Sequence, residues 1–502
     1  MASDDRLLKR AISRRTVIKA GVGGTLAAEM ALLEGLVTTP QRLALAAGTP
    51  SDIQYDIGAF TAPAQTINGL QFGFPPVFTG FFPATLNRTP SKTDQSVLAN
   101  ALNTIEANYA FSPSGIFSFV SYGVPYFNRL PGGINGSLVQ QFMPKLASNT
   151  SRNALEEAVP GPTDVSPANP GITKATFNVT VVIESNDVLF TFRSDTLNNI
   201  QNVLDWLRAR TNVLNGNVVA PPAFNNLFTF GKPRTMFVQQ GLPKQIAINN
   251  GLEFAGRIRD TSPMWMSFAD QQVDGSGPAA ITTFAGNASA HLTNKVAGNY
   301  FDNGSIQHLS HVILDLAQFY ATAAQDPPNG ETYQERVQYM FRSNDSSTAD
   351  GLPNDGFADQ FTDGGGPAFL DNRFQGTGDA ARNAQALGTF QGQHRMGHLS
   401  ALQRSSRASD GTPIHIRNDG PGFDNMDVPG GTNQPKLQFT VFVPTAEFFR
   451  VMRVNQASLD LVNQFGVADD DNGLERFSTA TRRQNFLIPP RRHRAFPLVE
   501  FT

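Results

Sequence analysis

The chain has 502 residues, 40% hydrophobic and 16% charged, enough to bury a large core and to hold two domains. A formal charge of −3 and a pI near 6.2 leave no electrostatic footprint for nucleic acid. With no cysteine at all, disulfides, thiolate-ligated or c-type haem, cysteine-held iron–sulfur clusters and a cysteine nucleophile are excluded.

The first 47 residues are expected to lie outside the fold. Ser13-Arg14-Arg15-Thr16-Val17-Ile18-Lys19 looks like a twin-arginine export signal. A mildly apolar run follows from Ala20 to Val37, interrupted by Glu29 and Glu34, which makes it a poor permanent membrane span. Ala44-Leu45-Ala46 supplies a small-x-small cleavage site. The alternative is a basic helix that stays in the cytosol. Export places the mature protein in the periplasm or outside the cell, with the twin-arginine translocase as a partner.

In the mature chain, Leu70–Phe74 reads as a first strand, and Val97, Leu98, Leu102 and Ile105 form a helical stripe within Ser91–Tyr109. Ala110–Arg129 is aromatic strand and turn. Ala175–Glu184 alternates most clearly, with Val188–Phe192 as its hairpin partner across Asn186-Asp187. Asp195 or Thr196 then caps a helix over Leu197–Arg210, carrying Ile200, Val203, Leu204 and Leu207 on one face. Strand, strand, helix in that order predicts an α+β, ferredoxin-like sandwich over residues 48–256. The second half, 257–502, repeats the plan loosely. Ile281–Phe284 and His311–Leu316 are strand-like, Leu316–Tyr320 and Glu331–Phe341 helical, Leu437–Val443 an alternating strand and Val451–Phe465 a helix. A Gly/Asp/Asn-rich excursion over 344–392 has little to bury and reads as a surface insertion.

All seven histidines lie after residue 290, so any chemistry carried by imidazole belongs to the second half. His394 and His398 would share a helical face, but no third zinc ligand is near and Gly397 weakens the helix. His308 and His311 form a weaker pair in a strand-prone context, read as structural. A neutral imidazole can ligate a metal, and Arg417, which follows His398 by 19 positions, keeps its charge.

His398, Arg417, the strand Leu437–Val443 and the closing Pro489-Pro490 together resemble the C-terminal haem domain of the dye-decolourising peroxidase family, over roughly Met264–Pro490. The resemblance implies two ferredoxin-like domains in a barrel-like α+β fold, with haem b in the C-terminal half. It implies His398 as axial ligand, with His394 as competitor, and Asp460, 62 positions on, as the acceptor for its second ring nitrogen. The family's distal GxxDG motif matches Ser267-Phe268-Ala269-Asp270-Gln271, where Asp270 is kept and both glycines are replaced. Asp274-Gly275 is a second register. Asp270 and Arg417 would then split hydrogen peroxide, and Phe439 and Phe442 would wall the pocket. Arg482-Arg483 and Arg491-Arg492-His493-Arg494 would meet the haem propionates or stand as solvated charge.

The expectation is therefore an exported haem peroxidase that oxidises a bulky organic reductant. The alternative is a non-catalytic exported protein on the same fold, binding haem or lacking it. A homo-oligomer is left open, and no permanent membrane span is expected.

Overall fold

The computed structural model describes residues 49–61, 75–260, most of 262–325, 415–457 and 474–502, with a short strand pair at 65–67 and 70–72 and the lone Tyr333. The signal over 1–47, the excursion over 344–392 and, apart from Tyr333, the helix expected over Glu331–Phe341 lie outside those residues.

The first half runs β1 (Phe78–Leu86), α1 (Lys92–Asn108), β2 (Phe117–Gly123), β3 (Val188–Ser194), α2 (Leu197–Leu207) and β4 (Arg234–Phe237). The second runs β5 (Ser305–Leu314), α3 (Leu316–Phe319), β6 (Ile416–Arg417), β7 (Gly420–Asp424), β8 (Gln434–Val443), α4 (Ala446–Ala457) and β9 (Ser478–Ile488). Hydrogen bonding orders these strands β4-β1-β3-β2-β9-β5-β8-β6, with β7 also on β8. Each half therefore follows the ferredoxin-like order of fourth, first, third and second strand, and the pairings between these strands are all antiparallel. The α+β, barrel-like class read from the sequence is the one observed.

The halves join where Phe486 and Leu487 of β9 pair with Gly123 and Tyr122 of β2. The sheet then curls until β7 lies against β4. At Gly422 a Cβ would meet the Thr235 carbonyl at 3.0 Å, and at Gly420 the Phe237 carbonyl at 3.3 Å. Inside this barrel Phe81, Leu189, Met236, Leu309 and Phe486 form one buried cluster drawn from five strands of both halves. One end is plugged by Ile53, Tyr55, Ile57, Phe60, Phe117, Phe119, Phe442 and Ile488. The other end is polar: Arg482 pairs with Asp427 (2.6 Å) and Arg234 with Glu184, and neutral His311 hydrogen-bonds Asp424 (3.3 Å).

Helices cover the outer faces. Ser91 and Asp94 form a capping box that starts α1, and Leu98, Leu102 and Ile105 turn inward at the helical spacing. In α2, Ile200, Val203, Leu204 and Leu207 are buried as the stripe predicts, although Thr196 makes no side-chain cap. Two expectations fail. Ala175–Glu184 is strand only at Val182–Ile183, lying parallel to β9, and Val188–Ser194 pairs with β1 and β2 instead. Those two neighbours already take both edges of β3, so most of the run before it lies at the surface without strand pairing. Ile281–Phe284 is not a strand; Ala279–Thr282 is a 3₁₀ turn. Among the described residues, no helix is long and apolar enough to cross a membrane.

Candidate functional site

Arg417 sits on β6, whose pairing with β8 sets Ile416 opposite Phe442 and Arg417 opposite Val441. Asn418 N–H donates to the Thr440 carbonyl (2.9 Å), holding the short strand in register. Side chains alternate across a strand, so Arg417 shares the outer face with Val441 and, two positions along, Phe439. Both Arg417 and Phe439 are half-buried. Phe442 belongs to the opposite face. Its ring stacks on Tyr55 at 4.1 Å and 4°, within the barrel plug. The expected pairing of Phe439 with Phe442 as one pocket wall is thereby corrected: three positions apart on a strand, they face apart.

The described histidines in the sheet are fully committed. His308 Nδ1 meets Asn485 Oδ1 (2.7 Å), its Nε2 meets Ser310 Oγ (2.6 Å), and its ring stacks on Phe449 of α4 at 3.4 Å. Burial, then the nearby Arg483 charge, hold it well below the usual histidine range, so it is neutral. His311 lies on the lumen face, between Thr481 Oγ1 (2.7 Å) and Asp424 (3.3 Å), and burial keeps it neutral too. Facing apart, the two cannot share a ligand, and among the described residues no group of three or more His, Asp or Glu is placed to hold a metal.

Beside His308 the outer face carries a buried ionic network that sequence reasoning missed. Arg483 of β9 grips Asp164 through two bonds of 2.5 and 2.7 Å, and donates to Ser310 Oγ (3.1 Å). Arg453 of α4 pairs with Glu475 (2.7 and 3.0 Å), Thr163 also bonds Glu475, and Lys174 Nζ donates to the Glu475 carbonyl (2.6 Å). Burial pushes the Asp164 carboxyl up, but Arg483, Arg453 and the Gly161 N–H bring it down to about 2. The sequence signal was an arginine at the centre of an otherwise half-apolar strand, Ser478–Ile488.

The other arginines proposed for haem propionates are also taken by protein carboxylates. Arg482 holds Asp427, Arg491 and Arg494 hold Glu106, and Arg492 holds Asp52 and Asp302. Each is ion-paired within the protein, and among them Arg492 is also exposed to solvent. Asp270, His394, His398 and Asp460, with Ser267 and Gln271, lie outside the described residues. Of the side chains expected to face haem, the structure sets Arg417 and Phe439 on the same outer face, where the Phe439 ring lies 6.3 Å from those of His308 and Phe449. Their chemistry, a fixed cation beside an aromatic wall, fits the face of a porphyrin on which negative charge develops.

Fold and site together define an α+β protein built from two ferredoxin-like halves around one barrel. The chain belongs to a family of unknown function, DUF7405, whose model matches residues 153–490. No curated protein matches it in sequence. Among solved structures it is similar to the encapsulated DyP-type peroxidase of Mycobacterium smegmatis (14% identity, TM-score 0.43, 88% of this chain and 97% of that one). It is also similar to a dye-decolorizing protein from V. cholerae (12%, 0.44, 88% and 98%) and a dye-decolorizing peroxidase from Bacteroides thetaiotaomicron (11%, 0.42, 86% and 96%).

Proposed function

We propose that this protein is an exported haem peroxidase, reducing hydrogen peroxide while oxidising a bulky organic reductant one electron at a time. The observation that carries the reading is the placement of Arg417 beside Phe439 on the outer face of the C-terminal strands. Haem b, when bound, would supply the iron that accepts oxidising equivalents from peroxide. His308 and His311 have both ring nitrogens engaged within the protein; His398, which stands where the resemblance to the peroxidase family puts the axial imidazole, is our choice, with His394 as competitor. Asp460 would accept the second ring N–H of His398, fixing its tautomer and raising its basicity. Asp270 would carry a proton from one peroxide oxygen to the other, and the Arg417 guanidinium would stabilise the negative charge on the departing oxygen. Export through the twin-arginine route to the periplasm or beyond belongs to the same proposal.

A second reading, a non-catalytic haem-binding or haem-free exported protein, is favoured by the outer face of β5 and β9. That floor is filled by the protein's own His308–Phe449 stack and Asp164–Arg483 pair. A visible spectrum separates the two. The peroxidase reading expects a Soret band lost in His398→Ala and shifted in Phe439→Leu, but unchanged in Phe442→Leu. It also expects peroxide-dependent dye oxidation to fall on the order of 10²–10³-fold in Arg417→Ala. A colourless protein that refuses haem on reconstitution, or equal turnover in wild type, Asp270→Ala and Arg417→Ala, would sink it.

A further inference from the structure

The chain contains seven Asn-x-Ser/Thr tripeptides, at Asn87, Asn135, Asn149, Asn178, Asn287, Asn303 and Asn344. Such a tripeptide is an acceptor for N-linked glycan only where the asparagine can reach a transferase. The twin-arginine route carries folded proteins, so for this chain the native surface decides which acceptors are usable.

Among the five in described residues, the structure discriminates sharply. Asn303 donates its amide to Asp52 Oδ2 (2.9 Å), and its partner Ser305 is fully buried in β5, bonding the Thr282 and Val443 carbonyls. Asn87 spends its amide N–H on the Asn226 carbonyl (2.8 Å), and its Oδ1 accepts from Thr229. Asn149, Thr150 and Ser151 are all exposed at the tip of a tight loop. The loop's base is closed by Leu146 N–H to the Arg152 carbonyl (3.1 Å) and Ala154 N–H to the Pro144 carbonyl (2.7 Å). Arg152 anchors it to α4 through Glu447 (2.9 Å).

At that tip, Ser151 N–H (3.1 Å) and Ser151 Oγ–H (2.6 Å) both donate to Asn149 Oδ1. Two donors on the carbonyl oxygen draw electron density from the amide and acidify the Nδ2 proton. They also fix the rotamer, so Nδ2 is presented to solvent at no further ordering cost. Asn135 and Asn178 share the exposure, but among the described residues this turn forms at Asn149.

We infer that Asn149 is an N-glycosylation site of the exported protein, its acceptor geometry preset by the Asn149–Ser151 turn. The donor is a glycan carried on a lipid phosphate or pyrophosphate. Nδ2 attacks the anomeric carbon, the bond from that carbon to the phosphate oxygen breaks, the lipid phosphate leaves with the electron pair, and Nδ2 gives up one proton. The inference rests on the export reading, and the test separates the two.

Peptide mapping by mass spectrometry of the protein isolated from its own host reads the processed N-terminus and the Asn149 peptide in one digest. The expected result is a processed chain with glycan at Asn149, lost in Ser151→Ala and retained in Ser151→Thr, with Asn87 and Asn303 bare. A processed chain with bare Asn149 overturns the modification and leaves export standing. An unprocessed chain with bare Asn149 overturns both. Asn149 and Ser151 are exposed, so loss of glycan without loss of soluble yield is not a folding effect.

Discussion

Asp164 and Arg483 are each about 4% exposed, and each satisfies the other through two hydrogen bonds. Removing one partner of such a pair strands the other charge where water cannot reach it. Asp164→Asn is expected to cost about 3–5 kcal/mol in chemical denaturation, against a surface control such as Arg450→Gln within about 0.5 kcal/mol. The same residues set a pH response. Asp164 lies near 2 when folded against an ordinary 3.8, and Glu475 near 2 against 4.5; burial opposes both shifts, and the charges of Arg483 and Arg453 outweigh it. Their contribution is full above the ordinary carboxylate range and disappears as pH falls toward 2. His308 and His311 act earlier. Burial depresses both, the unfolded chain takes up their protons below about 6.5, and stability falls as pH drops through that value. Denaturation midpoints between pH 8 and 3 should therefore decline in two stages, and a flat profile would contradict the buried assignment. Neither Asp164 nor its partner could be picked from the sequence as a pair, because 319 positions separate them.

The antiparallel strands of the two halves join through only two residue pairs, where β2 meets β9. Gly123 terminates β2 there and has its N–H on the Asp187 carbonyl (3.0 Å). A Cβ at that position would press into the Asn186 carbonyl and the Gln484 amide, both parts of the same join. Gly123→Ala is therefore expected to destabilise by about 1–3 kcal/mol, read from the denaturation midpoint, whereas Gly216→Ala, with open space around it but a positive φ of 80°, measures backbone strain alone. Helices α1 and α2 were legible because their apolar stripes repeat within one element. The run Ala175–Glu184 misled because alternation reports that a chain could be a strand, while its neighbours decide whether an edge is available.

At the scale of the molecule, the cluster Phe81, Leu189, Met236, Leu309 and Phe486 takes residues from both halves, so neither half buries its inner sheet face alone. Cutting at the proposed boundary between 256 and 257 and expressing the pieces separately should yield insoluble halves. The intact chain should lose its sheet signal in one transition by circular dichroism. Two independent transitions would show that the halves fold as separate domains.

The sequence by itself determined the α+β class, the ferredoxin-like plan, the helical stripes and the exclusion of thiolate chemistry. These are local periods and residue inventories, legible without knowing what touches what. Only the tertiary structure decided that Phe442 faces the barrel, that the one sheet curls until its ends meet, and that Asp164, Glu475, Arg453 and Arg483 meet. In a sheet buried on both faces, alternation marks two sides without saying which is the lumen, and that assignment comes from pairings hundreds of residues apart.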